Sequence, residues 1–185
     1  ANMDFHALFS HHAGIQPWLP FYKNTLSEKT SRPQKKFYRN KQKRKHALQV
    51  SENLFLRTNY LEEIKDEIIG SPLLDSLYYK YSDLPFYMFK EYIEERYDQR
   101  MDKLVEKEFY APIGASHLGY LPLQEVDVSQ VVPSEIDDYY RHSEIQGFVH
   151  DMGAAMQNGI GGHAGLFSNA NDVAKMMQMF MQGGS

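Results

Sequence analysis

The sequence predicts a mainly α fold in a single domain spanning residues 1–185. A chain of 185 residues is the usual size of one domain with its own hydrophobic core. Three segments carry apolar residues at helical spacing between recognisable start and stop signals. No run alternates apolar and polar residues in the way that would predict a ladder of strands. We therefore expect helices joined by long loops.

The first strong helix is predicted to begin at Asn59 and to end at Gly70. Asn59 and Glu62 have the spacing of a reciprocal N-terminal cap, and glycine commonly ends a helix. A second helix is predicted after Asp83, which stands at the N-cap position, with Pro85 in the first turn, where proline is tolerated. Its continuation or a neighbouring helix runs on to the Pro-Ile-Gly stretch at 112–114.

The third strong helix is predicted over residues 172–182, with Asn169 or Asn171 as its cap. Its four methionines and Phe180 are expected to pack in the core, because methionine fills irregular apolar gaps. Residues 115–147 contain no clear periodicity and are expected to be irregular.

The net charge of −4 conceals a strong asymmetry. Residues 23–46 hold ten of the twenty basic residues and one acid, so this segment carries +9 and the remainder −13. We interpret residues 23–50 as a basic excursion, either solvated and held against the acidic remainder or able to contact phosphates and other anionic polymers. Nucleic acid is not predicted as a partner, because the aromatics that could stack on bases are limited to Phe37 and Tyr38.

Several kinds of site are not predicted. The absence of cysteine excludes disulfides, thiol catalysis and thiolate metal sites. The eight histidines show none of the spacings typical of zinc sites, so no metal and no cofactor is predicted. No stretch approaches the roughly 18 apolar residues of a membrane-spanning helix.

Tyr81-Ser82-Asp83, at the start of the second helix, is the first candidate for chemistry. A tyrosine hydroxyl has a pKa near 10 and becomes a useful base only if nearby cations favour the phenolate or relay its proton. Asp83 lies two residues on and could face the same cleft. The spacing of the motif is also compatible with a second interpretation, in which Tyr81-Ser82-Asp83 is a tyrosine-rich helix start without a catalytic role.

The glycine-rich segment 159–165 is the second candidate. Four glycines in seven positions predict close approach of the backbone to a neighbour, or several turns with positive φ. Phosphate-binding patterns do not fit, because no Gly-Lys-Ser/Thr follows. The loop could bind a ligand, or it could be a tight turn beneath a helix. His150-Asp151, just upstream, could form a hydrogen-bonded pair.

Five segments, in this order, resemble the serine β-lactamase and penicillin-binding protein superfamily, most closely its class C-like esterases and carboxypeptidases. The longest matches Gly-x-Val-His-Asp followed by Gly-His-Ala-Gly-Leu-Phe-Ser, and together the matches span residues 5–184, essentially the whole chain. They are Phe9–Ile15, Tyr81–Ile93, Phe109–Gly114, Gly147–Phe167 and Asn171–Lys175.

The resemblance implies roles for individual residues. Tyr81 would be the general base or proton relay of an acyl-transfer serine, and Asp83 would stand where a substrate-contacting asparagine often lies. The loop residues Gly162, His163 and Gly165 would contact substrate. Asp83 departs from the family's asparagine, replacing an amide donor by an acceptor, and Pro85 departs from its glycine.

The same resemblance implies that the chain is an incomplete enzyme. The family's Ser-x-x-Lys nucleophile and its Lys/His-Thr-Gly strand are absent from the sequence. We therefore expect the helical subdomain of the α+β fold, lacking most of the central sheet and inactive alone. The parent would be an extracytoplasmic, periplasmic serine hydrolase acting on an acyl, peptide or cell-wall-derived substrate.

The basic excursion and residues 17–22 further resemble a branch that is often fused to a family-3 glycoside hydrolase domain, which would then be an adjacent partner. The alternative function is a non-catalytic module that binds a glycan or peptide, or that packs between domains.

Overall fold

The computed structural model describes residues 4–75 and 78–184. Within these ranges the α-helices are α1 (Phe5–Phe9), α2 (Tyr60–Gly70), α3 (Leu84–Tyr97), α4 (Met101–Val105), α5 (Met152–Met156) and α6 (Ala170–Met181). The strands are β1 (Tyr38–Arg39), β2 (Leu48–Ser51), β3 (Leu54–Leu56), β4 (Glu135–Asp137) and β5 (Ser143–Ile145). A π-helical turn, Glu106–Tyr110, extends α4, and short 3₁₀ turns cover Phe21–Thr25, Pro122–Gln124 and Val128–Gln130.

The prediction of a mainly α fold is wrong. The strands form two antiparallel sheets, one in the order β1-β3-β2 and the other a β4–β5 hairpin that lies inside the segment expected to be irregular. Each strand has only two to four residues, which is too short for an alternating pattern to be recognised. The chain is therefore a mixture of helices and small sheets. The expectation of a helical subdomain, which depended on the mainly α prediction, is also wrong.

The basic excursion is anchored in the core. Phe37, Tyr38, Leu48 and Val50 are all buried and belong to one hydrophobic cluster with residues of α2, α3 and α5. Strand β3 pairs with both β1 and β2, so the residues on either side of the basic run are fixed by the same sheet. The basic run is anchored to the folded chain because the apolar side chains on either side of it are buried in the core. Its lysines stay in solvent and contribute no such burial.

Helices α2 and α3 begin where the sequence predicts, but without the predicted caps. The side chain of Asn59 makes no capping bond to α2, so the prediction of a reciprocal cap with Glu62 is wrong. Asp83 occupies the N-cap position of α3, yet its carboxylate does not cap the helix either. The hydroxyl of Ser82 accepts the Leu84 N–H at 3.2 Å instead, which leaves the Asp83 carboxylate available for other contacts.

Helix α6 departs from its predicted packing. The expectation that its apolar side chains lie in the core is wrong, since Phe180 is 59% exposed and Met181 is 83% exposed. Helix α6 is held at its other end, where the buried carboxylate of Asp172 accepts the His117 N–H at 2.6 Å. No helix in the described part of the chain is long and apolar enough to cross a membrane.

Asn169→Ala is expected to lower the free energy of unfolding by about 1 kcal/mol. The Asn169 side chain accepts the Asp172 N–H at 3.0 Å and so satisfies one of the otherwise unpaired amides at the start of α6. Asn171→Ala is the matched control and is expected to change stability by less than about 0.5 kcal/mol, because Asn171 is exposed. Urea unfolding followed by circular dichroism measures both, and equal losses in the two variants would contradict the assignment of the cap.

Candidate active site

Three hydrogen bonds fix the backbone around Tyr81 and Asp83. Ser82 is buried; its hydroxyl donates to the Gln16 carbonyl at 2.6 Å, and its N–H donates to Nδ1 of His11 at 3.3 Å. The Asp83 N–H donates to the Pro17 carbonyl at 3.1 Å. Because Ser82 points into the protein, its two neighbours are turned towards the surface.

The Tyr81 side chain is half exposed, at 52% of its full surface. Its ring lies against the imidazole of His11, with 4.6 Å between ring centroids. Partial burial, then a hydrogen bond and charge from Asp83, raise the pKa of the Tyr81 phenol above its usual range. The phenol is therefore protonated at neutral pH, and it can act as a base only beside a cation contributed by other residues.

An aspartate–histidine pair lies close to this tyrosine. The Asp151 carboxylate bonds Nε2 of His163 at 2.8 Å and accepts the Ala154 N–H at 2.7 Å, which caps α5. The His163 ring is 3% exposed and stacks on the ring of Tyr87 at 4.4 Å. Burial raises the pKa of Asp151, but the bonds from His163 and from backbone amides outweigh it and hold that pKa below its usual value.

The sequence did not predict this pair. His150 and Asp151 are not bonded to each other as proposed, since Nε2 of His150 lies 3.2 Å from Glu135. The available signal was the position of Asp151 directly before a small-residue helix, which is typical of an N-cap. Nothing in the spacing indicates that the same carboxylate reaches an imidazole twelve residues later.

The glycine-rich loop packs directly on the first turns of α3. A methyl group placed on Gly162 would lie 2.1 Å from the backbone oxygen of Phe86, and one on Gly165 would lie 2.5 Å from the Gly159 oxygen. Gly165 also has a φ of +122°, a region that favours glycine. Both predicted reasons for the glycines are confirmed, namely close approach of the backbone and positive φ.

The sequence-predicted residues thus lie around one end of α3. Gly162 contacts Phe86, whose ring is 5.8 Å from that of His11, and His11 contacts Tyr81. The charge of Asp151 raises the pKa of both Tyr81 and Tyr87. The His163 ring faces inward, so any contact of this loop with substrate through Gly162, His163 or Gly165 stays a prediction.

Arg141, in the turn between β4 and β5, holds the backbone directly before Asp151. Its guanidinium donates to the carbonyls of Val149 at 2.7 Å and His150 at 2.8 Å, and it also bonds the carboxylates of Asp137 and Glu135. The side chains of Arg141 and Asp137 are both fully buried. The β4–β5 hairpin therefore fixes the backbone directly before Asp151.

The candidate site is an open surface. A cavity of about 670 Å³ lies elsewhere, between β2 and the 121–128 segment. In residues 4–75 and 78–184, no group of three His, Asp or Glu side chains is arranged to hold a metal ion. The groups available for chemistry here are a phenol, a neighbouring carboxylate and a buried imidazole–carboxylate pair.

Comparison with known proteins gives relatives of one kind. No protein-family model matches the chain. It is 33% identical over 116 residues to a provisionally named D-alanyl-D-alanine carboxypeptidase of Escherichia coli K12, an alignment covering 56% of this chain and 27% of that protein. It is 32% identical over 117 residues to an N-acetylmuramyl-L-alanine amidase of Bacillus subtilis 168, covering 57% of this chain and 26% of the relative. The alignments thus span about a quarter of the length of these curated relatives.

A solved structure with a similar fold is that of D-amino acid amidase from Ochrobactrum anthropi SV3 in complex with L-phenylalanine amide. The superposition covers 98% of this chain and 44% of the amidase with a TM-score of 0.55, at 12% sequence identity. At 12% sequence identity, the superposition shows that the chain and the amidase share a similar fold and nothing more. Together, the relatives are named as a carboxypeptidase and an amidase, and the fold resembles that of a D-amino acid amidase.

Proposed function

We propose that this chain contributes one wall of the active site of a serine acyl hydrolase of the penicillin-binding and β-lactamase-like superfamily. In this proposal Tyr81 is the proton relay and Asp83 a substrate contact. The observation that carries it is the half-exposed Tyr81 phenol, fixed beside the Asp83 carboxylate by the buried Ser82. Residues 1–185 would belong to one domain, within which residues 23–50 form a basic excursion.

The electrostatics of Tyr81 define what the rest of the site must supply. Its pKa is raised by burial and by Asp83, and the smaller contributions come from Tyr79 and Asp151, which raise it further. A phenol in this environment takes a proton from a serine only if a cation stabilises the phenolate or accepts that proton. The sequence has no Ser-x-x-Lys, so the proposal places the attacking serine and its lysine in residues outside it. The chain alone is then inactive.

The Asp151–His163 pair would support the wall without touching substrate. It joins the start of α5 to the glycine-rich loop, and the His163 ring fills the space beside Tyr87. Loop residues Gly162, His163 and Gly165 would then present backbone to the substrate at a fixed distance from α3.

The substrate class in this proposal is a cell-wall-derived peptide or a related amide or ester. The names of the relatives, a carboxypeptidase and an amidase, support this class. Such a substrate would place the protein outside the cytoplasm. The Asp83 carboxylate in place of an amide donor favours substrates that offer a hydrogen-bond donor at that position. A fused family-3 glycoside hydrolase domain stays a prediction.

Tyr81→Phe is expected to lower the rate of covalent labelling by at least about 100-fold in the full-length gene product that carries these residues. The change removes only the hydroxyl, and with it the proton relay. Labelling with a fluorophosphonate or a fluorescent penicillin measures the rate. Tyr79→Phe is the matched control, because Tyr79 is also a half-exposed tyrosine two residues away, and its labelling rate is expected to stay within about twofold.

Two results would contradict the proposal. Labelling of a serine in residues 1–185 on their own would show that the nucleophile lies within the sequence. A full-length product that folds, binds muropeptide and labels with neither probe would instead identify a non-catalytic binding or interdomain module. Thermal unfolding of each variant keeps loss of folding separate from loss of the relay.

A further inference from the structure

The exposed cations of the basic excursion have no anionic partners in the described part of the chain. Nine lysine and arginine residues between positions 23 and 45 are exposed, and none of the ion pairs among residues 4–75 and 78–184 includes any of them. They are Lys23, Lys29, Arg32, Lys35, Lys36, Lys41, Lys43, Arg44 and Lys45. The interpretation that the excursion is held against the acidic remainder is therefore wrong, because burial of its apolar flanks anchors it.

The sheet brings Arg39 and Arg57 to one face. Arg39 is paired with Phe55 across β1 and β3, and the Arg57 N–H bonds the Phe37 carbonyl at 2.9 Å. Residues 55 and 57 lie on the same side of their strand, so Arg39 and Arg57 are diagonal neighbours.

Lys43 and His46 lie opposite each other in a tight antiparallel bridge. They exchange backbone hydrogen bonds of 3.0 and 2.8 Å, which puts their side chains on one face. The Lys45 carbonyl accepts the Thr58 N–H at 3.0 Å and holds this turn beside Arg57. We call residues 39–46 together with Arg57 the basic turn.

Two polar atoms in the basic turn are buried without a hydrogen-bond partner among the described residues. They are Nε2 of His46 and Nε of Arg57. Among the ion pairs of the described residues, the one that reaches the basic turn joins Glu63 to the other end of the Arg57 guanidinium. Burial, and then the charges of Arg39, Lys43 and Arg57, lower the pKa of His46.

This arrangement costs stability unless an anion is bound. Like charges around a partly buried imidazole repel one another, and a buried N–H without a partner loses its hydrogen bond to water. A tetrahedral oxyanion at the exposed side of the basic turn reduces the repulsion, because its oxygens accept from several N–H groups and its charge offsets the cations. The surrounding lysines would extend attraction along a polymer of such anions.

We propose that the basic turn is a binding site for phosphate groups of a linear anionic polymer, and that the exposed lysines of residues 23–45 form the approach to it. A single-stranded nucleic acid is disfavoured as the polymer, because Phe37 and Tyr38 are buried and Phe55 is partly buried, which leaves bases no fully exposed ring to stack on. The occupant is a phosphate-bearing polymer without aromatic groups, and this inference does not depend on the catalytic role of Tyr81.

Short-chain polyphosphate is the probe, and isothermal titration calorimetry at several salt concentrations is the measurement. Neutralising the turn with K41Q/K43Q/R44Q/K45Q is expected to weaken binding by at least about tenfold and to reduce its salt dependence, because fewer counterions are released. The matched control, K80Q/R96Q/K103Q/K107Q, loses the same four charges elsewhere on the surface and is expected to stay within about twofold.

Inorganic phosphate tests the centre of the site separately. In an NMR titration the His46 imidazole signals are expected to shift at lower phosphate concentration than those of His117, whose side chain is 62% exposed and lies beside Asp172. Equal shifts of both histidines would overturn the assignment of a built site.

Three further results would overturn the proposal. If both charge variants weaken polyphosphate binding equally, the binding depends on net charge alone and not on the basic turn. Binding to phosphatidylglycerol vesicles without binding to polyphosphate would assign the surface to a membrane. A salt-sensitive dimer formed without polyphosphate, and lost in the turn variant, would assign it to a second copy of the chain.

Discussion

Arg141→Met is expected to lower the free energy of unfolding by about 3–5 kcal/mol, which is the usual cost of removing one partner of a buried ion pair. Arg141 is fully enclosed and bonds Asp137, Glu135 and the carbonyls of residues 149 and 150. Its removal leaves the buried Asp137 carboxylate without a counter-charge and two carbonyls without donors. Domains of this size have about 5–15 kcal/mol of stability in all, so the variant is expected to be largely unfolded near 40 °C.

Two variants separate charge burial from loss of packing. The double variant D137N/R141M removes both charges and is expected to recover at least half of the lost stability. Lys103→Met is the single control. Lys103 pairs with Glu106 at 2.9 Å, and the two side chains are 51% and 55% exposed, so its loss is expected to cost less than about 1 kcal/mol. An Arg141→Met variant as stable as the parent in urea unfolding would contradict this account.

The same pair predicts a dependence on pH. Burial raises the pKa of Asp137, but hydrogen bonds from Arg141 and from the backbone outweigh it and hold that pKa below its usual value of 3.8. A carboxyl group with a lowered pKa in the folded state stabilises the fold above its unfolded pKa, and this stabilisation is lost as pH falls through the folded pKa. The parent is therefore expected to lose stability below about pH 4, more steeply than D137N/R141M does.

Gly162→Ala is expected to lower the free energy of unfolding by about 3 kcal/mol. Its new methyl group would lie 2.1 Å from the backbone oxygen of Phe86, and a helix backbone cannot move aside as the end of a flexible side chain can. The glycine-rich loop would have to leave α3, which would also disturb the stacking of His163 on Tyr87. Urea unfolding measures the loss of stability, and the near-ultraviolet circular dichroism of the tyrosines reports the disturbed contact.

Gly119→Ala is the control for this substitution. A methyl group on Gly119 would meet no atom within 4 Å, and its φ is not in the left-handed region, so its stability is expected to change by less than about 0.5 kcal/mol. If Gly162→Ala is as stable as Gly119→Ala, the loop does not depend on the close approach to α3, and the packing described for the candidate site is wrong.

Much of the helical structure was predictable from the sequence, because α2, α3 and α6 each combine helical spacing with local end signals. Gly70 ends α2, and the Asn169 side chain caps α6, and both residues act on neighbours within four positions. The strands were not predictable in this way. Their two to four residues owe their conformation to partners such as Leu48 and Leu56, and to burial that no local pattern records.

The candidate site likewise contains residues that local sequence motifs predict and contacts that they do not predict. Tyr81, Asp83 and the glycines of 159–165 were visible in the sequence because they are clustered in short motifs. The Asp151–His163 bond and the stacking of His163 on Tyr87 join segments that are far apart in the chain. Arg141, which holds the backbone before Asp151, lies in a segment that was expected to be irregular.

By itself, the sequence determined where the long helices begin and end, which residues of the site can carry a proton, and that positive charge is concentrated between residues 23 and 46. The tertiary structure alone decided that this charge makes no ion pair with a carboxylate of residues 4–75 and 78–184, that the Asp83 carboxylate is not used as a cap, and that Asp151 bonds His163. The reason is physical: propensity, capping and charge count depend on neighbours in the chain. Burial, pKa and ion pairing depend on what the fold brings within a few ångströms.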